Sequence, residues 1–259
     1  MKRWLKTALS GVLGLSILPL GAPLLAQQAT SPPALESRAS PPAFSGMGAG
    51  QAVAGWRLAG LPGQKMPMTR FDLVTLEGRQ VLRVTAEASY GTLVHDTPRL
   101  QLGSDALLRW SWRLDRGLSG SDLSRREGDD SPLKICALFD MPLDGLGFAE
   151  RSKMRLARAL SGLALPSATL CYVWDRLLPV GSAIANAHSE RVRFVVASSG
   201  EARPGQWLSL ERRIAADFML AFGHETATLP PLIALLVGAD ADNSGGRSLA
   251  YVGDLVLLP

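Results

Sequence analysis

The feature that most constrains this chain is a series of short segments rich in β-branched and aromatic residues, separated by turn residues. They cover 54–58, 69–76, 80–88, 91–94, 106–115, 133–140, 168–175, 191–198, 232–239 and 249–258, and Glu77-Gly78 and Ser199-Gly200 mark two of the turns. A half-buried strand has one apolar side and must share it with another sheet. Many short strands at this spacing therefore point to an all-β sandwich or barrel. The clearest alternation is Leu108-Arg109-Trp110-Ser111-Trp112-Arg113. Leu108, Trp110 and Trp112 share one face, and Arg109, Ser111 and Arg113 share the other, where they could line a groove.

Two stretches break the β pattern. Residues 148–163 carry Met154, Ala157, Leu160 and Ser161 at helical spacing with Arg151, Lys153, Arg155 and Arg158 around them. Such a basic amphipathic helix can lie on an anionic membrane or cap one end of a sandwich with its charges in water, and the second reading is preferred. Residues 210–222 place Ile214, Phe218 and Ala221 together and stop at Gly223, read as a helix C-cap. The body is thus expected to be a β-sandwich with two short helical excursions.

The ends of the chain set its compartment and its charge. Lys2, Arg3 and Lys6 precede an apolar run that reaches about Leu25 and ends in small residues. This describes an export signal over 1–26, and the Gly and Pro residues inside the run argue against a stable membrane helix. Residues 27–49, with Pro32, Pro33, Pro41 and Pro42, read as a linker. One domain is expected over 50–259, in the periplasm or secreted, with no transmembrane span after signal cleavage. The whole chain has 27 basic and 23 acidic residues. Taking away Lys2, Arg3 and Lys6 leaves 24 against 23, a net of +1. No global basic field remains to hold nucleic acid. An apolar fraction of 47% with 19% charged residues excludes a disordered chain.

Several motifs could carry chemistry. Asp240, Asp242 and Ser244, followed by Gly245, match the opening of a calcium loop, and Asp254 or Asp129 would have to complete the shell because the twelfth position is Tyr251. The motif thus suggests calcium as a cofactor, with an Asx-rich turn as the alternative. Asp129 and Asp130 form an acidic loop that could ligate metal, bind hydroxyls or serve in acid–base work. Trp174-Asp175 closes a strand, with Asn186 close in sequence. An aromatic face beside polar groups suits a sugar ring. Cys136 and Cys171 could be bridged in an oxidising compartment or remain buried thiols. No G-x-S-x-G, H-E-x-x-H, phosphate-binding or dinucleotide-binding glycine motif occurs, and His95, His188 and His224 lack paired ligand spacing.

The order of motifs resembles a bacterial family, domain of unknown function 3047. The matching pieces include Thr69-Arg70-Phe71-Asp72-Leu73-Val74, Leu108-Arg109-Trp110-Ser111-Trp112 and Asp129-Asp130-Ser131-Pro132. They continue through Leu170-Cys171-Tyr172-Val173-Trp174, Gly205-Gln206-Trp207 and Asp240-Ala241-Asp242-Asn243. Ala241 and Ser244 stand where the family pattern leads one to expect Thr. The resemblance implies a jelly roll similar to carbohydrate-binding modules, and implies no activity. The expected function is non-catalytic binding of a glycan or envelope component by Arg109, Arg113, Asp129, Asp130, Trp174, Asp175 and Asn186. The alternatives are a glycan hydrolase or lyase using the acidic loops, and an envelope assembly protein.

Overall fold

The computed structural model describes residues 40–161 and 165–259. The export signal expected over 1–26, and the first part of the linker, lie outside the described residues. The strands are Arg57–Ala59 (β1), Arg70–Leu76 (β2), Arg79–Glu87 (β3), Tyr90–Leu100 (β4), Leu107–Arg116 (β5), Lys134–Phe139 (β6), Ala168–Asp175 (β7), Ala183–Ala185 (β8), Val192–Ser199 (β9), Leu208–Arg213 (β10), Leu232–Asp240 (β11), Arg247–Val252 (β12) and Val256–Leu258 (β13). The helices are Phe148–Ser161 (α1) and Ile214–Phe222 (α2).

The strands form two sheets. One runs β1-β4-β11-β6-β7-β9-β8, and the other runs β10-β5-β12-β3-β2 with β13 paired to β5. All pairings between these strands are antiparallel except β7 with β9. Packed face to face, the sheets make an all-β jelly-roll sandwich. Its core lies between them and includes Leu82, Trp112, Leu133, Ile135, Leu170, Tyr172 and Val237. The Leu108, Trp110 and Trp112 face turns inward, as the alternation requires. Glu77 and Gly78 both have positive φ and join β2 to β3 as a two-residue hairpin, a turn whose twist suits paired strands.

β6 and β7 are buried along their whole length. Both of their faces must therefore be covered. The inner face joins the core. The outer face of the seven-stranded sheet carries a second apolar cluster with Val94, Cys136, Leu138, Cys171, Phe194 and Leu236. Leu123 and Leu178, from the connections that follow β5 and β7, pack on it together with Ile184 of the edge strand β8. Those connections leave a cleft on that face.

Two expectations need correction. The packed body begins before residue 50: Phe44 is fully buried in the core and Ser40 Oγ donates to the Leu257 carbonyl. Proline content suggested a linker there, but one aromatic side chain anchors the segment. The second helix starts at Ile214, and Leu208–Arg213 forms β10, because these residues pair with Leu107–Trp112 of β5. Gly223 caps this helix, as read from the sequence, in a right-handed conformation at φ −61° with its N–H donating to the Met219 carbonyl.

Candidate functional site

The residues expected to act together are divided between opposite faces of the sandwich. Arg109 lies on the outer face of the six-stranded sheet, where it pairs with Glu211 of β10 at 2.5 Å. It lines an open depression of about 740 Å³ together with Arg79 and Asp254. Arg113 is buried and bound on both sides, to Asp115 at 2.6 Å and Glu77 at 2.7 Å. Trp174 is 2% exposed and packs against Trp112 in the core. Its indole N–H donates to the Gly200 carbonyl. Asp175 is also buried, and its Oδ1 accepts the N–H groups of Leu177 and Leu178. That is the local Asx-turn role of a strand-ending aspartate. Trp174 and Asp175 therefore serve the fold.

Asp129 and Asn186 do meet. They line the cleft on the outer face of the seven-stranded sheet, about 560 Å³ in volume. Asn186 Nδ2 donates to Asp129 Oδ2. Asn186 Oδ1 accepts the backbone N–H groups of His188 and Ser189, both at 3.0 Å, which fixes the amide's orientation. His188 Nε2 stands 3.8 Å from Asp129 Oδ2. The other carboxylate oxygen of Asp129, Oδ1, is buried and accepts no hydrogen bond from the described residues. Asp130, next in sequence, is fully buried and faces elsewhere. It accepts the N–H groups of Asn243 at 3.1 Å and Ser244 at 2.6 Å, clamping the loop after β11. Asn243 Nδ2 donates to the Asp129 carbonyl, so this clamp also holds Asp129 in place.

A buried ion pair closes the polar end. Lys134 of β6 meets Asp240 of β11 at 2.7 Å, each side chain 9% exposed. Asp240 Oδ1 also accepts the Ser131 N–H, and the Lys134 ammonium stands 5.3 Å from the Tyr90 ring centre. Gly238, opposite Lys134 on β11, makes room for the lysine stem: a Cβ there would lie 3.0 Å from Lys134 Cε. Tyr90, Lys134, Asp240, Asp242 and Asn243 all line the cleft. Its floor is apolar, formed by the bridged Cys136–Cys171 pair with Leu138, Phe194 and Leu236. The two cysteines face each other on β6 and β7, and the bridge joins strands 35 residues apart.

The electrostatics follow from this crowding. Burial pushes the Asp129 carboxyl up to about 6, against the Asn186 hydrogen bond, and the Asp240 charge adds to the rise. Burial also raises Asp242, with Asp240 contributing next. Burial alone would lower the Lys134 ammonium, but Asp240 and Tyr90 together hold it above its ordinary value. Tyr90 is raised by burial, with Lys134 opposing.

The four residues proposed for calcium do not converge. Asp240 is committed to Lys134. Asp242 stands in the cleft. Ser244 gives its N–H to Asp130. Asp254, in the loop between β12 and β13 beside the opposite sheet, accepts the N–H and Oγ–H of Ser45. Among the described residues no three or more His, Cys, Asp or Glu side chains are arranged to hold a metal ion. Sequence reasoning missed Lys134 and Tyr90. The available signal was a lone lysine inside the apolar run Leu133-Lys134-Ile135-Cys136, since a lysine on a two-sided buried strand needs a partner.

Comparison with known proteins adds the following. The family model described as "Protein of unknown function (DUF3047)" matches residues 54–256. No curated protein matches the chain. Among solved structures, the chain is similar to a family 11 carbohydrate-binding module from Clostridium thermocellum in complex with a mixed-linked tetrasaccharide, at 11% identity and a TM-score of 0.36, covering 80% of this chain and 91% of that one. A cellulose-induced protein, Cip1, is similar at 11% identity and TM-score 0.37, with 80% and 93% coverage. A cellulase derived from Cel12A of Rhodothermus marinus is similar at 12% identity and TM-score 0.35, with 79% and 96% coverage.

Proposed function

Because the chain belongs to the DUF3047 family, described only as proteins of unknown function, we propose a role from the site itself: the cleft on the seven-stranded sheet binds a glycan or glycan-bearing envelope component without transforming it. The observation that carries this reading is the make-up of the cleft. Its volume, about 560 Å³, lies in the range of small-ligand sites. Its floor is apolar, and its polar groups converge at one end. A pyranose has the same two characters, a C–H face and a rim of hydroxyls. Asp129, Asn186 and Asn243 offer carboxylate and amide groups to vicinal hydroxyls, while Leu138, Phe194 and Leu236 receive the apolar face. The orientation of Asn186 is set before any ligand arrives, which reduces the ordering cost of binding.

The test is binding of the mature domain to an oligosaccharide panel, followed by titration calorimetry on the hits. Asn186→Ala should weaken binding by about tenfold or more, the scale of one lost hydrogen bond to a charged partner network. Hits whose affinity ignores both Asn186→Ala and Phe194→Ala would move the site elsewhere. The compartment belongs to the same proposal. The Cys136–Cys171 bridge suits an oxidising, extracytoplasmic setting, in keeping with the charged and apolar start of the sequence. Export of a reporter fused behind residues 1–49 checks it.

One observation favours a second reading, hydrolysis or elimination on the same glycan. Asp129 is pushed up to about 6 and Asp242, in the same cleft, is also raised, and displaced carboxyls in a cleft are candidate acids. Product formation from any glycan that binds would select this reading.

A further inference from the structure

Building on the proposal that this cleft binds a ligand, we infer that the ligand group entering its polar end is a cation, specifically a protonated amine, so that a bound glycan would carry an amino sugar. The argument starts from the charges that line the cleft. Asp129, Asp240 and Asp242 supply three carboxylates and Lys134 supplies one ammonium, so the carboxylates outnumber the ammonium by two. Asp240 is fully used: one oxygen holds Lys134 and the other the Ser131 N–H. The uncompensated charge therefore belongs to Asp129 and Asp242.

Asp129 is the independent sign that something is to be bound. Its side chain is 7% exposed, and its neighbours serve only one of its two oxygens. Asn186 donates to Oδ2, and the half-exposed His188 imidazole also approaches Oδ2. Oδ1 is buried with no donor among the described residues. A buried carboxylate oxygen without a donor costs free energy until a donor or a cation reaches it. The apolar floor beside it lowers the local dielectric and strengthens that attraction. The same charge excess disfavours carboxylated or sulfated ligands. An ammonium answers both needs, because it carries positive charge and three donors.

Four probes separate this inference from the glycan reading: a glucosamine tetrasaccharide, its N-acetylated counterpart, cyclohexylamine and cyclohexanol. Binding is followed by calorimetry and by NMR shifts near neutral pH. The expected result is that each amine binds at least about tenfold more tightly than its uncharged counterpart, and that Asp129→Asn removes most of that preference. Asp129→Asn deletes a buried charge and keeps an acceptor for Asn186, so the variant is expected to fold. Equal or tighter binding of the N-acetylated sugar would overturn the inference and leave glycan binding standing. Binding of cyclohexylamine at Asp129 with neither sugar bound would do the reverse. No binding of any probe in the cleft would defeat both.

Discussion

Replacing Lys134 by Met removes an ammonium and keeps a flexible stem of similar reach. Asp240 then remains buried with only the Ser131 N–H to answer its charge, since the Lys134 contact at 2.7 Å is gone and its side chain is 9% exposed. Breaking a buried pair by removing one partner costs about 3–5 kcal/mol, because the charge left behind is uncompensated. A domain of this size loses about 2–4 °C of Tm per kcal/mol, so Lys134→Met should melt about 6–20 °C below the parent. The assay is thermal unfolding followed by circular dichroism at pH 7. The double variant Lys134→Met with Asp240→Leu removes both charges and should recover most of the loss, since apolar residues can replace a buried pair at little net cost. A single variant within about 1 kcal/mol of the parent would refute the reasoning. So would a double variant as damaged as the single one, which would assign the loss to packing of the lysine stem beneath Gly238.

Three further outcomes are expected. Asp129 has its carboxyl raised from 3.8 to about 6 in the folded protein, so folding favours its protonated form; the stability it contributes is fully present below pH 3.8 and is lost as pH rises through about 6. That difference is worth at most about 3 kcal/mol, and Asp129→Asn should flatten this part of the pH–stability curve measured by urea unfolding. The native protein should show no free thiol, and replacing Cys136 and Cys171 together by Ala should cost about 3–4 kcal/mol, the closure entropy of a loop of this length; two titratable thiols in the untreated protein would contradict the bridge. Trp174→Ala should cost about 3–5 kcal/mol through the cavity it leaves, read as a fall in denaturation midpoint, whereas a stable variant that had lost only ligand binding would return Trp174 to the site.

The extent to which the sequence was legible varies by element. β2, β3, β5, β6, β7, β9 and β11 were all foreshadowed, because alternation and β-branched runs are local properties. β8 and β10 were not. β8 has three residues and exists through pairing with β9. Leu208–Arg213 carries apolar residues that also fit a helical stripe, and only the neighbouring β5 decides between the two. Within the site, Asp129 was singled out from its acidic loop and Asn186 only as a sequence neighbour of Trp174 and Asp175, and the structure brings Asn186 to Asp129 instead. Trp174 and Asp175 were wrongly grouped with them, because a tryptophan at a strand end looks the same in sequence whether it points into the core or out of it.

By itself, then, the sequence determined the periodicities: an all-β sandwich with two helices and an alternating core face on β5. It also made Cys136 and Cys171 available for pairing. The tertiary structure decided which side chains face one another. Asp129 and Asn186 stand 57 positions apart and Lys134 and Asp240 stand 106 apart, and no local pattern encodes such separations. Arg109 was placed on the opposite sheet, and Asp254 in a loop beside it, for the same reason. Periodicity tells which side of a strand is apolar. Strand order and register tell what that side, and the loops above it, will meet, and the acidic, half-apolar cleft comes from that second kind of information.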